Sequence, residues 1–171
     1  MNAPKYALEE IERRWLVDLV TVGPLAQLAC RAIDDRYLAG TRLRLRRVEA
    51  DGQAVHKLCK KYGKRPDGSE PITNLYLTPA EYDALAQLPG HAVRKHRYAL
   101  AGGALDVYVA PAGLAIFEKE FGSVAEAQAY LPPAFVGVEV THDPRYTGAA
   151  LAGLSCSGAE AEQPGSLTTG E

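Results

Sequence analysis

The chain has 171 residues, 47% hydrophobic and 23% charged, and its 19 Lys and Arg against 21 Asp and Glu leave a formal net charge of −2. That profile favours one ordinary globular domain, able to bury about two-thirds of its unfolded surface without staples. The near balance of charge argues against a generic nucleic-acid binder, which carries a strong basic excess. Cys30, Cys59 and Cys156 are odd in number and share no metal-ligand spacing, which speaks against a zinc site or a disulfide framework. No apolar run approaches the roughly 18 residues of a membrane span, and the first residues hold no signal-peptide core. A reduced, cytoplasmic protein with no membrane partner is therefore expected.

In chain order, the first element is a strand over 10–15, where Glu-Ile-Glu-Arg-Arg-Trp alternates with period two. A short helix is expected after Gly23-Pro24. Alternation then predicts strands over 41–46 and 56–61, followed by a polar connection over 63–71 and a strand over 72–77. Thr78-Pro79-Ala80-Glu81 opens a helix with an N-cap Thr, Pro at N1 and Glu at N3. Strands follow over 92–100, 104–109 and 114–121, and Ser123-Val124-Ala125-Glu126 opens another helix that Pro132-Pro133 stops. Residues 155–171 hold Ser, Gly, Glu, Pro and Thr with little to bury, so a disordered tail is expected behind a domain of residues 1–154. About seven strands with few helices predict a mainly β, α+β fold in which an antiparallel sheet closes, or nearly closes, into a barrel.

The phase of the alternation points to function. One strand face carries Leu43, Leu45, Leu58, Leu75, Leu77, Val107 and Val109. The other carries Glu10, Glu12, Arg14, Arg42, Arg44, Arg46, Lys57, Lys61, Lys95, Arg97, Asp106, Glu118 and Glu120. A solvated face explains this on any single strand. Its recurrence on nearly every strand instead predicts a charged interior, with the apolar face packed under the helices. A dry charged interior is prohibitively costly, so it must hold water and a ligand. Arg and Lys neutralise phosphate oxygens, and carboxylates hold hard divalent cations that bridge to phosphate. The residues alone thus suggest a metal-dependent polyphosphate site.

Glu10-Ile11-Glu12-Arg13-Arg14 resembles the N-terminal ExExK signature of the CYTH family, the triphosphate tunnel metalloenzymes. Further matches follow in order: Arg42-Leu43-Arg44, Leu58-Cys59-Lys60-Lys61, Lys95-His96-Arg97-Tyr98, Leu105-Asp106-Val107-Tyr108, Glu118-Lys119-Glu120-Phe121 and the stretch from Gly137 to Tyr146. The resemblance runs from about Ala7 to Ala152 and is nearest to short bacterial single-domain members. It implies an eight-stranded antiparallel β-barrel tunnel, flanked by a few helices, that binds triphosphate along its axis. By the same resemblance, Glu10, Glu12, Glu118 and Glu120 would hold Mg²⁺ or Mn²⁺, with Asp106 orienting a basic neighbour or the metal. Arg42, Arg44, Lys61, Lys95 and Arg97 would grip phosphate, with Lys57 at a rim. Glu139 and Arg145 would close one end or anchor the final helix.

Two departures stand out. The signature lysine is Arg14 here, and in some hydrolytic members that lysine pairs with a tyrosine to activate water. Tyr37 stands where the tyrosine is expected, which makes Tyr37 and Arg14 the candidate catalytic pair. Arginine cannot act as a neutral base, but it can bind phosphate and lower a phenol pKa. The middle acidic pair of many members is replaced by Asn74 and Tyr76, which weakens one metal position. The expected activity is metal-dependent hydrolysis of inorganic triphosphate, a small-molecule substrate. The alternatives are a polyphosphate or phosphorylated-metabolite binding module and a class IV-type adenylate cyclase. Homodimerisation is left open.

Overall fold

A computed structural model of the chain describes residues 4–159. The N-terminal segment forms β1 (Leu8–Glu10) and β2 (Glu12–Val17), followed by two short 3₁₀ turns, Leu19–Thr21 and Leu25–Gln27. Then come β3 (Cys30–Leu38), β4 (Leu43–Ala50), β5 (Gln53–Lys61), β6 (Glu70–Leu77), α1 (Pro79–Ala86), β7 (Gly90–Leu100), β8 (Gly103–Tyr108) and β9 (Ala115–Glu120). The described chain ends with α2 (Val124–Ala129), β10 (Val136–Glu139), a 3₁₀ turn at Pro144–Tyr146 and α3 (Gly148–Ala159). Among the described residues no helix is long and apolar enough to cross a membrane.

The helix starts follow local chemistry. Thr78 Oγ1 accepts from the Glu81 amide while the Glu81 carboxylate accepts from the Thr78 amide, a reciprocal capping box. Ser123 caps α2 by accepting from the Glu126 amide at 3.2 Å.

Ten strands form one antiparallel sheet among the described residues, in the order β1-β6-β5-β4-β3-β7-β8-β9-β2-β10. This differs from the expected eight-stranded barrel, because the hydrogen-bonded ladder has ten strands and two free ends. The strand expected over 10–15 breaks at Ile11 into β1, which pairs with β6, and β2, which pairs with β9. β10 then adds to the free side of β2. A single residue thus carries the chain from the first strand of the order to the ninth.

Period two sorts the side chains onto two faces. Arg14 with Leu16, Asp35 with Tyr37, Val93 with Lys95, Asp106 with Tyr108, and Ile116 with Glu118 share one face. Its apolar members gather at one end, where Val93, Tyr108 and Ile116 pack with Leu151 and Ala152 of α3. The opposite face buries Trp15, Val17, Leu105, Ala115 and Phe117 against Tyr130 and Phe135. The expected burial of the apolar strand face holds for Leu45, which is 0% exposed, and fails for Leu75 and Val109, at 54% and 48%. α3 runs to Ala159, past the expected start of the tail at Ser155, and residues 160–171 lie outside the described residues.

Candidate functional site

A cavity of about 530 Å³ opens on the charged face. Glu10, Glu12 and Arg14 enter it from β1 and β2, Tyr37 from β3, and Arg44 and Arg46 from β4, with Arg42 just before that strand. Lys61 enters from β5, Glu70 from β6, Lys95 and Arg97 from β7, and Glu118 and Glu120 from β9. Thr147, Gly148 and Ala149 at the start of α3 line it as well. A second cavity of about 380 Å³ shares Glu10, Arg44, Arg46, Arg97 and Glu120 with the first, so the two meet at these residues. Lys57 lines this second cavity, its ammonium 4.9 Å from the Tyr76 ring centre. A third cavity of about 320 Å³, between β2, β10 and the turn at Asp67-Gly68, shares Glu12 with the first.

Two buried aspartates fix the cations. Asp106, 0% exposed, accepts from Arg97 Nε and Nη2 at 2.6 and 2.7 Å and also pairs with the Lys95 ammonium. It does not line the cavity, so it positions cations and presents no oxygen to a ligand there. Asp35 accepts from Arg46 Nε and Nη2 at 2.6 and 2.7 Å, with Arg44 Nε at 3.6 Å. Burial alone would raise the Asp35 carboxyl, but Arg46, Arg44 and Lys95 hold it down to about 2. The Lys61 ammonium donates to Glu10 at 2.5 Å and to Glu70 at 3.0 Å. Sequence reasoning missed Asp35 and Glu70. Asp35 lies on an unpredicted strand, and Glu70 lies inside what reads as a polar connection.

The carboxylates cluster along β1, β2 and β9. Glu12 faces Glu120, and Arg14 faces Glu118, across the β2–β9 ladder. Burial, then Glu118 and Glu10, push the Glu12 carboxyl up to about 7. Burial acts the same way on Glu118, but Lys95, Arg97 and Arg14 overcome it and hold that carboxyl below its ordinary range. Among the described residues no three His, Cys, Asp or Glu side chains are gathered into a metal cage. The mutual repulsion around Glu12 nonetheless suits a hard cation. Mg²⁺ characteristically takes one or two carboxylates and completes its shell with water and substrate phosphate.

Two further atoms await a partner. The buried Nε groups of Arg14 and Arg44 have no hydrogen-bond acceptor. A buried N–H without an acceptor costs free energy; the nearest carboxylates are Glu12, 3.5 Å from Arg14 Nε, and Asp35, 3.6 Å from Arg44 Nε. Arg14 is otherwise held by Nη1, which donates to the Tyr146 carbonyl at 2.7 Å. Burial and Asp35 raise the Tyr37 phenol above its ordinary range, the reverse of the expected lowering by Arg14. Tyr37 is thus a protonated donor beside Arg44, wedged against the start of α3.

No protein-family model matches the chain, and no curated protein matches it at a significant level. Solved structures do. Two are of one protein, described as the hypothetical protein NE1496 and as the inorganic triphosphatase NE1496. Each is 28% identical over 84% of this chain, covering 96% and 93% of its own length, with TM-scores of 0.55 and 0.54. The PH1819 protein from Pyrococcus horikoshii OT3, at 18% identity and a TM-score of 0.52, covers 69% of this chain and 83% of its own, and shares the fold.

The chain shares the fold of NE1496, and that likeness supports a CYTH-type domain. The CYTH motif residues occupy these strands as follows. Glu10, Glu12 and Arg14 straddle the Ile11 break, and Lys61 closes β5. Lys95 and Arg97 stand on β7, Asp106 on β8, and Glu118 and Glu120 on β9. Glu139 lies outside the charged cavity and accepts from Arg13 Nε and Nη2 at 2.9 and 2.6 Å. Arg145 pairs locally with Asp143. Asn74 lines the second cavity, and Tyr76 is 73% exposed. His91 lines the first cavity near Tyr37, a position the strand parity of 91–97 could have shown.

Proposed function

We propose that this domain hydrolyses inorganic triphosphate, with Mg²⁺ or Mn²⁺, inside the charged cavity. One observation carries the reading. Arg14, Arg44, Arg46, Lys61, Lys95 and Arg97 converge on a single space walled on one side by Glu10, Glu12, Glu118 and Glu120. A linear polyanion with divalent cations satisfies both halves of that wall, and NE1496, of similar fold, is named an inorganic triphosphatase. The two cavities that meet at Glu10, Arg44, Arg46, Arg97 and Glu120 are read as successive parts of one tunnel, closed by the bent segment 8–17.

Glu10, Glu12 and Glu120 would hold the metal, which when bound neutralises phosphate charge and polarises phosphoryl oxygens. Arg14 and Arg44, which line the cavity, would offer their guanidinium charge to phosphate oxygens. Lys95 and Arg97 are kept aimed by Asp106, and Arg44 and Arg46 by Asp35, so no side-chain ordering is left to the moment of reaction. Water adds to a terminal phosphorus and the bond to the bridging oxygen breaks. Orthophosphate and pyrophosphate leave with the two protons of the water divided between them. Rate acceleration comes from positioning and charge neutralisation. A binding-only reading is favoured by one observation, that Arg14 and the raised Tyr37 phenol offer no neutral base.

Orthophosphate release from sodium tripolyphosphate, with Mg²⁺, with Mn²⁺ and with EDTA, tests the proposal. Metal-dependent release well above that from ATP supports it. Thermal stabilisation by tripolyphosphate without release favours the binding module. Release of pyrophosphate and cyclic AMP from ATP favours a cyclase.

A further inference from the structure

The cations of the first cavity differ in what already neutralises them. Lys61 has Glu10 and Glu70, Lys95 has Asp106, Arg97 has Asp106 and Glu118, and Arg44 and Arg46 have Asp35. Arg14 has Glu12 at 3.5 Å. Among the described residues, the cavity-lining cations with no carboxylate within ion-pair distance are Arg42 and Lys64. Each is parked on a neutral carbonyl. Arg42 Nη1 donates to Tyr62 O at 2.7 Å, and Lys64 Nζ donates to Thr141 O at 3.0 Å. Arg42 belongs to the CYTH-like motifs. Lys64 belongs to none, and in sequence it reads as a solvated loop residue.

The surroundings of Lys64 place its charge against the site. Its ammonium spans from the β5–β6 connection to the strand exit after β10. There the Thr141 hydroxyl accepts from the Arg14 amide at 2.9 Å. The loop that carries it is held by its own bonds, Arg65 N to Ser69 O at 2.8 Å and Gly68 N to Arg65 O at 3.0 Å, and by the Arg65–Glu9 ion pair. The backbone is therefore fixed while the four-carbon side chain can swing. Burial, then Arg14, lower the Lys64 pKa against the opposing pull of Glu12 and Glu70.

We propose that Lys64 is a phosphate-binding residue at the cavity mouth, exchanging the Thr141 carbonyl for an oxygen of the bound polyphosphate. The inference rests on the reading of the cavity as a triphosphate site. It adds to the strand-borne cations a ligand-gripping lysine supplied by a loop. Exchanging a neutral carbonyl for a phosphate oxygen replaces an ordinary hydrogen bond with a charge-assisted one.

Calorimetric titration with sodium tripolyphosphate in EDTA tests it without turnover. Lys64→Met is expected to weaken binding by about tenfold or more, the scale of one charge-assisted hydrogen bond, and Lys64→Arg to stay within about threefold. In the unmodified protein, tripolyphosphate is expected to protect Lys64 from amine acetylation, read by mass spectrometry. Equal affinity in Lys64→Met, or unprotected acetylation beside clear binding, overturns the role of Lys64 and leaves the triphosphate reading standing. If the unmodified protein binds no tripolyphosphate in EDTA or with Mg²⁺, both fall together.

Discussion

Asp35 and Arg46 face each other across the β3–β4 ladder, and the Asp35 carboxylate, only 2% exposed, accepts two hydrogen bonds from Arg46, 2.6 and 2.7 Å long. The pair lies beneath the ligand cavity and sets the aim of Arg46 and its neighbour Arg44. Removing the carboxylate takes the counter-charge from two part-buried guanidinium groups, a loss of about 2–3 kcal/mol. Asp35→Asn should therefore lower the denaturation midpoint strongly, as measured by urea unfolding at pH 7.

The same residue fixes an acid limb. The Asp35 carboxyl titrates at about 2 in the folded chain, below its unfolded value of about 3.9. Its contribution is thus fully present above about pH 4 and is lost as the pH falls toward 2, amounting to about 2–3 kcal/mol. Melting temperatures measured across pH 2–6 should fall more steeply toward acid in the unmodified protein than in Asp35→Asn. Parallel curves would show that Asp35 is not held ionised by the arginines.

These residues also show what the sequence could and could not reveal. The strands around Glu10–Glu12 and Lys95–Arg97 are legible because like residue types recur at i and i+2, Glu-x-Glu and Lys-x-Arg, and that parity puts Glu12 on one face with Glu120, though it does not show the break at Ile11. β3 was not legible because both of its faces are charged. Asp34 points outward to Arg94 at 2.5 Å while Asp35 points inward to Arg46, so no hydrophobic alternation marks the strand. α3 is a final helix that only the family resemblance implies, because Gly148-Ala-Ala-Leu-Ala-Gly has too little bulk to show an apolar stripe. That smallness is what lets the helix seat against the closely packed inner face at Val93, Tyr108 and Ile116.

Glu12 carries a repulsion that a metal would relieve. Its carboxyl is buried near Glu118 and Glu10 and is pushed up to about 7. Glu12→Gln should melt higher than the unmodified protein in EDTA at pH 8, because one of the clustered negative charges is gone. It should also lose most of the stabilisation that Mn²⁺ with tripolyphosphate gives the unmodified protein. Thermal melts in the two buffers read both effects. A variant that melts lower in EDTA, or keeps the full Mn²⁺ shift, would remove Glu12 from the metal-holding wall.

Tyr37 is placed to bind and not to take a proton. Its phenol lies above the ordinary range through burial and Asp35, so it stays protonated wherever the fold is stable. Tyr37→Phe should keep kcat for tripolyphosphate within about threefold, since loss of a general base costs about 100-fold or more. A collapse of kcat at unchanged KM would restore Tyr37 to the catalytic pair suggested by the sequence.

α3 meets the cavity at Gly148, against Tyr37. A methyl group on Gly148 would lie 1.9 Å from the Tyr37 hydroxyl oxygen and 2.8 Å from the ring carbon that bears it. Neither the ring, packed in the inner apolar cluster, nor the first turn of α3 can yield without disturbing Leu151, which is 2% exposed. Gly148→Ala should therefore cost about 1–3 kcal/mol, the range of overpacked cores. Tyr37→Phe removes the nearer contact and leaves the farther one, so the cost of Gly148→Ala should shrink in that background without vanishing. A double-mutant cycle by chemical denaturation measures the coupling directly. Additive costs would mean that α3 does not sit on Tyr37. A coupling near the full single-mutant cost would mean that the hydroxyl alone sets how closely the helix approaches the site.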